Sequence, residues 1–175
     1  SLISGYGKDK FILPPNPFIE ISRITAETAI TLKADFTGGG LSLINTGIGF
    51  LDHMLNQITT HGGLSLELDA YGDTQVDYHH TTEDVAIVLG EALNRYFTSV
   101  VNNRRYGFSL PMDESQASVL IDLGGRAGFK WDVVFSGEKI GDFPCEMLSH
   151  FFSSLSTSGK FTLHIKAEGE NDHHK

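Results

Sequence analysis

Hydrophobic and polar positions change rhythm several times along these 175 residues, and each change predicts an element. From Phe18, "FIEISRITAETAITLKADF" alternates with period two and is rich in Ile and Thr, which predicts strand with one buried face. "GGG" at 38–40 predicts a turn. "FLDHMLNQITTH" then switches to helical spacing through Leu51, Met54, Leu55 and Ile58, with Gly62 and Gly63 as its stop. "LSLELDAY" alternates again. "TTEDVAIVLGEALNRYFTSV" predicts a long amphipathic helix with a core stripe of Val85, Val88 and Leu89, and a histidine pair falls in its first turn.

After "NNRRYG" the succession repeats: "ASVLIDL" and "FKWDVVF" as strands, "CEMLSHFFSSLS" as helix, "FTLHIKAEGE" as strand, then "NDHHK". "DHMLNQI" aligns with "SHFFSSL", "LSLELDAYGD" with "FTLHIKAEGE", and "DYHH" with "NDHH". His53 precedes His79 by 26 residues and His150 precedes His173 by 23, a difference that one loop deletion at "TQV" accounts for. A period of about one hundred residues is too long for a solenoid and predicts two tandem copies of one unit. The expected organisation is a leader at 1–17, holding three of the five prolines, then one domain at 18–175. Its halves are 18–103 and 104–175, the second truncated at its C-terminus. The fold class is α+β: a two-layer α/β sandwich, helices on one face of a mixed sheet, built from two repeats.

Composition narrows the partners. A formal net charge of −9 argues against nucleic acid and anionic membranes, while a small anion needs only a local basic cluster. Arg105 and Arg126 are candidates for that cluster, and Arg104 reads as an exposed turn charge. No apolar stretch approaches the roughly 18–20 residues that span a bilayer, and no secretory pattern opens the chain. Cys145 is alone, which removes an internal disulfide and a cysteine-rich zinc site.

The chemistry lies in the histidines. Residues four apart on a helix share a face, whereas neighbours diverge by roughly 100°. His79 and Glu83 can therefore grip one ion, and His80 points toward a second. His53 and His150 add one imidazole per half. Any single histidine is most often an ordinary surface or core residue, but six of eight recurring in register with a duplication point to metal. Imidazole with carboxylate suits manganese, iron, zinc, cobalt or nickel. His61 and His164 lack repeat partners and read as structural. No G-x-S-x-G elbow, P-loop or H-E-x-x-H motif is present.

"TGIGFLDHMLNQITTHGG", "DYHHTTEDVAIVLGEAL", "GFSLPMDES" and "SHFFSSLS…TLHIKAEGENDHH", with "RITAET" at 23–28, closely resemble the imidazoleglycerol-phosphate dehydratases, from about Phe18 to the end. The resemblance implies a duplicated sandwich of the ribosomal protein S5 domain 2-like type. It also implies trimers that assemble into 24 subunits, in the cytoplasm, with two Mn(2+) per active site. One ion would take His79, Glu83, His150 and His174. The other would take His53, His80, His173 and the glutamate of a second H-H-x-x-E, which falls two positions beyond Lys175, so a longer chain is expected. Substrate contacts would come from Glu27, Gln57, Arg105 and Arg126, with Glu27 also a candidate for proton transfer.

The implied activity is a carbon–oxygen lyase of histidine biosynthesis: water leaves imidazole glycerol phosphate to give imidazole acetol phosphate, through a metal-stabilised imidazolate. Two other classes compete with it. A metal-dependent hydrolase of a small phosphorylated compound would release phosphate, and a metal store would bind ions without turnover.

Overall fold

The computed structural model describes residues 17–99 and 104–175. The expected leader, apart from Pro17, lies outside them, as does the join between the halves at 100–103. The first half holds strands β1 (Phe18–Ile24), β2 (Thr28–Asp35), β3 (Ser42–Asn45) and β4 (Ser65–Gly72), with helices α1 (Gly49–Gly62) and α2 (His79–Ser99). The second holds β5 (Arg105–Met112), β6 (Ser115–Asp122), β7 (Gly128–Val133), the short pair β8 (Lys139–Ile140) and β9 (Phe143–Pro144), α3 (Glu146–Gly159) and β10 (Thr162–Glu168).

Two four-stranded sheets result, ordered β1-β2-β4-β3 and β5-β6-β10-β7. Each has two antiparallel pairings followed by a parallel one, so the topology itself is duplicated. In β2 the burial alternates strictly, with Thr28, Ile30, Leu32 and Ala34 facing inward. The helices form the other layer. Val85, Val88 and Leu89 of α2 are buried in one core with Leu32, Leu66 and Leu68 of the first sheet and Phe151 and Leu155 of α3. Each such apolar side chain contributes about 1.5–3 kcal/mol on burial.

The α2–α3 contact matters for function, and Gly90 makes it close. A Cβ at Gly90 would lie 2.7 Å from the Leu155 carbonyl oxygen and 2.9 Å from the Gly159 nitrogen. Ser158 Oγ donates to the Ile87 carbonyl at 2.6 Å across the same crossing.

Two features depart from the pattern seen in the sequence. The long alternating stretch from Phe18 is a hairpin, not one strand. Its turn lacks Gly and Pro, and is made instead by Thr25, whose Oγ1 accepts from the Thr28 amide at 3.0 Å. The second departure is β5, an edge strand beginning where "NNRRYG" reads as a turn; Gly107 and Pro111 inside it weaken the strand signal.

α2 lies against β1, β2 and β4. The corresponding face of the second sheet, on β5, β6 and β10, carries exposed Tyr106, Phe108, Leu110 and Met112. An apolar cleft of about 480 Å³ opens beside it, lined by Val119, Ile121, Trp131 and Phe152 among others. Among the described residues no helix is long and apolar enough to cross a membrane.

Candidate metal and substrate site

α2 starts at the histidine pair because Asp77 accepts the His79 amide through Oδ1 at 2.8 Å, leaving the chain poised to turn into helix. One turn later, Glu83 Oε2 lies 3.6 Å from His79 Nε2. His150, in the second turn of α3, brings its ring within 5.4 Å of the His79 ring. The α2–α3 crossing thus places Glu83 and His150 each beside His79, two imidazoles and a carboxylate in one neighbourhood.

His80 diverges, its ring 87° from that of His79. Its Nδ1 lies 2.8 Å from Glu27 Oε2 in the β1–β2 turn, and the two open onto a hollow shared with Asp73 and Asp77. His53 is exposed on α1, in the turn anchored by Asp52, whose Oδ1 accepts from the Thr46 amide at 2.8 Å. Gln57, one turn further, bonds His61 Nε2 at 3.0 Å. His164 is exposed on β10.

His173 and His174 sit apart from that group. The Asn171 side chain accepts the His173 amide at 3.0 Å. Asp172 pins the turn to the β7–β8 loop, accepting from the Gly137 amide and Lys175 Nζ at 2.8 and 2.9 Å. Lys175 and the backbone amides of Ser136 and Gly137 hold the Asp172 carboxyl down at about 2. His174 Nδ1 lies 3.1 Å from Glu114 Oε2. That contact first, with the backbone donors and Ser115, holds Glu114 at about 2. Among the described residues, Asp113, Glu114 and His174 form the one group of three with ligand atoms all within 4.8 Å. The full ligand set expected for either ion does not meet within one chain.

The arginines form a separate site. Arg105 Nε donates to Asp122 Oδ2 at 2.9 Å, and both share an open hollow with Gly124 and Arg126. Arg105 chiefly, with a smaller contribution from Arg126, holds the Asp122 carboxyl below its usual range. Both guanidinium groups remain exposed to a ligand.

A sequence profile described as imidazoleglycerol-phosphate dehydratase matches residues 46–175. The chain belongs to the imidazoleglycerol-phosphate dehydratase family. Histidine biosynthesis bifunctional protein HisB of Bacteroides fragilis is 49% identical over 156 residues, which cover 89% of this chain and 42% of that protein. Its counterpart in Actinobacillus pleuropneumoniae is 45% identical over 161 residues, 92% of this chain and 45% of that one. The chain thus spans under half the length of these relatives. Imidazoleglycerol-phosphate dehydratase of Staphylococcus aureus matches the fold with TM-score 0.80 and 34% identity, covering 90% of this chain and 88% of that one. The enzyme of Pyrococcus furiosus, in complex with (S)-C348, gives 0.76 and 31%, covering 88% and 83%.

In this member of the dehydratase family, Asp84 organises the site without having stood out in the sequence. It is buried on α2, accepts from Arg23 Nε at 3.0 Å and from the Thr28 hydroxyl, and so clamps the turn that carries Glu27 against the helix that carries His80. The signal available was a carboxylate on the apolar face of a predicted helix. Glu114 was also missed, although its repeat register with Glu27 marks it. Cys145 is buried at the start of α3, and desolvation, with Asp172 adding, pushes its thiol up, away from nucleophilic use.

Proposed function

We propose that the protein containing this chain is an imidazoleglycerol-phosphate dehydratase, a cytoplasmic enzyme of histidine biosynthesis that eliminates water from imidazole glycerol phosphate to give imidazole acetol phosphate. The proximity of Glu83 and His150 to His79, in a chain of this family, carries the reading. The donor set of imidazole nitrogens and a carboxylate oxygen fits manganese. Two Mn(2+) per active site would be held, one by His79, Glu83, His150 and His174, the other by His53, His80 and His173 with a further ligand. When bound, the metal supplies Lewis-acid stabilisation to the substrate's ring as the proton beside it is lost.

The remaining roles belong to the chain. Arg105 and Arg126 are permanent charges facing one hollow and suit the phosphate. Gln57 would contact substrate, and Glu27, with one oxygen toward His80, keeps its other for a substrate hydroxyl. The 480 Å³ cleft is a poor phosphate site because its lining is overwhelmingly apolar.

A homo-oligomer is part of the reading, with trimers as the unit of a 24-subunit particle. Support comes from the β5–β6 ladder. Arg105 pairs with Asp122 at one end, and Met112 with Ser115 at the other, beside Glu114 and His174. The intervening rise, about 3.4 Å per residue, separates the ends by about 24 Å. A three-carbon bridge between imidazole and phosphate cannot span that distance, so arginines and His174 of one chain would serve different active sites.

The test supplies imidazole glycerol phosphate and manganese to the full-length protein and follows products by mass. A keto phosphate without phosphate release, lost in chelator and in His79→Ala, is the expected result. Released inorganic phosphate would favour the hydrolase, and tight manganese binding without turnover would favour a metal store.

A further inference from the structure

The duplication extends to a contact that neither half reveals alone. Glu27 lies in the turn joining β1 to β2, and Glu114 in the turn joining β5 to β6, at equivalent positions of the two sheets. His80 and His174 are the second histidines of "DYHH" and "NDHH". In both halves the turn glutamate brings Oε2 to Nδ1 of that second histidine, at 2.8 Å for His80 and 3.1 Å for His174. Both pairs also start alike: Asp77 accepts the His79 amide and Asn171 the His173 amide. The first histidine of each pair has no such glutamate at Nδ1 among the described contacts.

An ionised carboxylate only accepts hydrogen bonds, so a neutral imidazole facing it must carry its hydrogen on Nδ1. Nε2 is then the unprotonated nitrogen, the one able to ligate a metal. We propose that Glu27 and Glu114 are repeat-related positioning residues that fix His80 and His174 in the Nδ1–H tautomer and present Nε2 as the ligand atom. This rests on the reading of those two histidines as metal ligands. Toward the metal, each glutamate acts through its histidine, Glu27 with the oxygen its substrate contact leaves free and Glu114 from the β5–β6 turn.

The two glutamates differ in a way that makes the test sharp. Glu114 Oε1 also accepts from the Asn171 amide and Ser115 Oγ, both at 2.9 Å. In Glu114→Gln the carboxamide oxygen stays on those donors, so the NH₂ faces Nδ1 and forces the hydrogen onto Nε2. Glu27 has no such second anchor among the described side-chain contacts, so in Glu27→Gln the carboxamide can turn its oxygen to His80 and keep the tautomer.

The experiment titrates full-length protein with Mn(2+) and reads free ion by electron paramagnetic resonance, with circular dichroism melts as the folding control. Expected is an affinity loss of about 10–100-fold at one site in E114Q. S115A, which cuts only the Oε1 side, should stay within about twofold of wild type. Glu27→Ala should lose affinity at the other site and E27Q should recover most of it. Wild-type affinity in E114Q, or an equal loss in S115A, overturns the proposal. If E114Q fails to fold, the Glu27 pair decides: equal affinity in E27A and wild type overturns it. Wild-type protein that takes up no manganese would instead sink the metal reading itself, before any variant is compared.

Discussion

Arg23 Nε donates to Asp84 Oδ1 at 3.0 Å, joining β1 to the helix that starts with the histidine pair. Thr28 adds its hydroxyl to the other carboxylate oxygen. Asp84→Ala removes both bonds. Arg23 is half-exposed and can turn to water, so the loss is set by the charge-assisted bond and discounted for solvent: about 2 kcal/mol. For a domain of this size that lowers the melting temperature by roughly 4–8 °C. Because the clamp also holds Glu27 against His80, manganese affinity should fall in the same variant. A melt that shifts with unchanged metal binding would show that the clamp supports the fold alone.

Gly90 tests the α2–α3 crossing. Glycine to alanine in a helix ordinarily stabilises by about 0.5–1 kcal/mol. Here the new methyl would meet backbone of α3 at 2.7 Å, which cannot rotate away, and overpacking of that kind costs about 1–3 kcal/mol. Gly90→Ala is therefore expected to be destabilising on balance and to push His150 away from His79. Lower melting temperature and weaker metal binding, in a variant that touches no ligand, is the expected pair of readings.

The helices were legible because their apolar residues recur at helical spacing: Val85, Val88 and Leu89 are all buried as that spacing requires. The candidate metal residues stood out because duplication repeats the histidines, and the structure brings Glu83 and His150 close to His79. The β1–β2 turn was not legible, since it holds neither Gly nor Pro and is made by a threonine hydroxyl. β5 was hidden for the opposite reason. Its exposed apolar row of Tyr106, Phe108, Leu110 and Met112 alternates well, but Gly107 and Pro111 speak against a strand unless it lies at an edge. The separation of Arg105 from His174 is a property of strand register, which no local pattern encodes.

Asp122 lowers the charge of the arginine hollow. With Asp122 ionised the Arg105–Arg126 hollow carries one net positive charge, and Asp122→Asn leaves two. Inorganic phosphate should therefore compete more strongly in Asp122→Asn than in wild type at neutral pH, and less strongly in Arg105→Ala or Arg126→Ala, with the differences shrinking in high salt. The acid limb has a definite sign. Asp122 is depressed below its ordinary 3.8, so its contribution to stability is fully present above that value and disappears as pH falls through the lower folded value. The stability gap between wild type and Asp122→Asn should be flat from neutral pH down to about 4 and close below it. A gap that instead widens in acid would contradict the assigned direction.

If arginines and His174 of one chain serve different active sites, two inactive variants can repair each other. Arg105→Ala keeps an intact His174, and His174→Ala keeps an intact Arg105. Full-length preparations of each should be dissociated with chelator, mixed in equal amounts and reassembled with manganese. Random co-assembly then gives roughly a quarter of sites an arginine from one parent and a histidine from the other. Activity near that fraction of wild type, far above either variant alone, is the expected outcome. Control mixtures of each variant with itself should stay inactive. If the mixture is no more active than its components, and mass measurement shows that the chains did exchange, both groups act within one chain. The 24 Å ladder separation would then have to be bridged by another arrangement of β5 and β6.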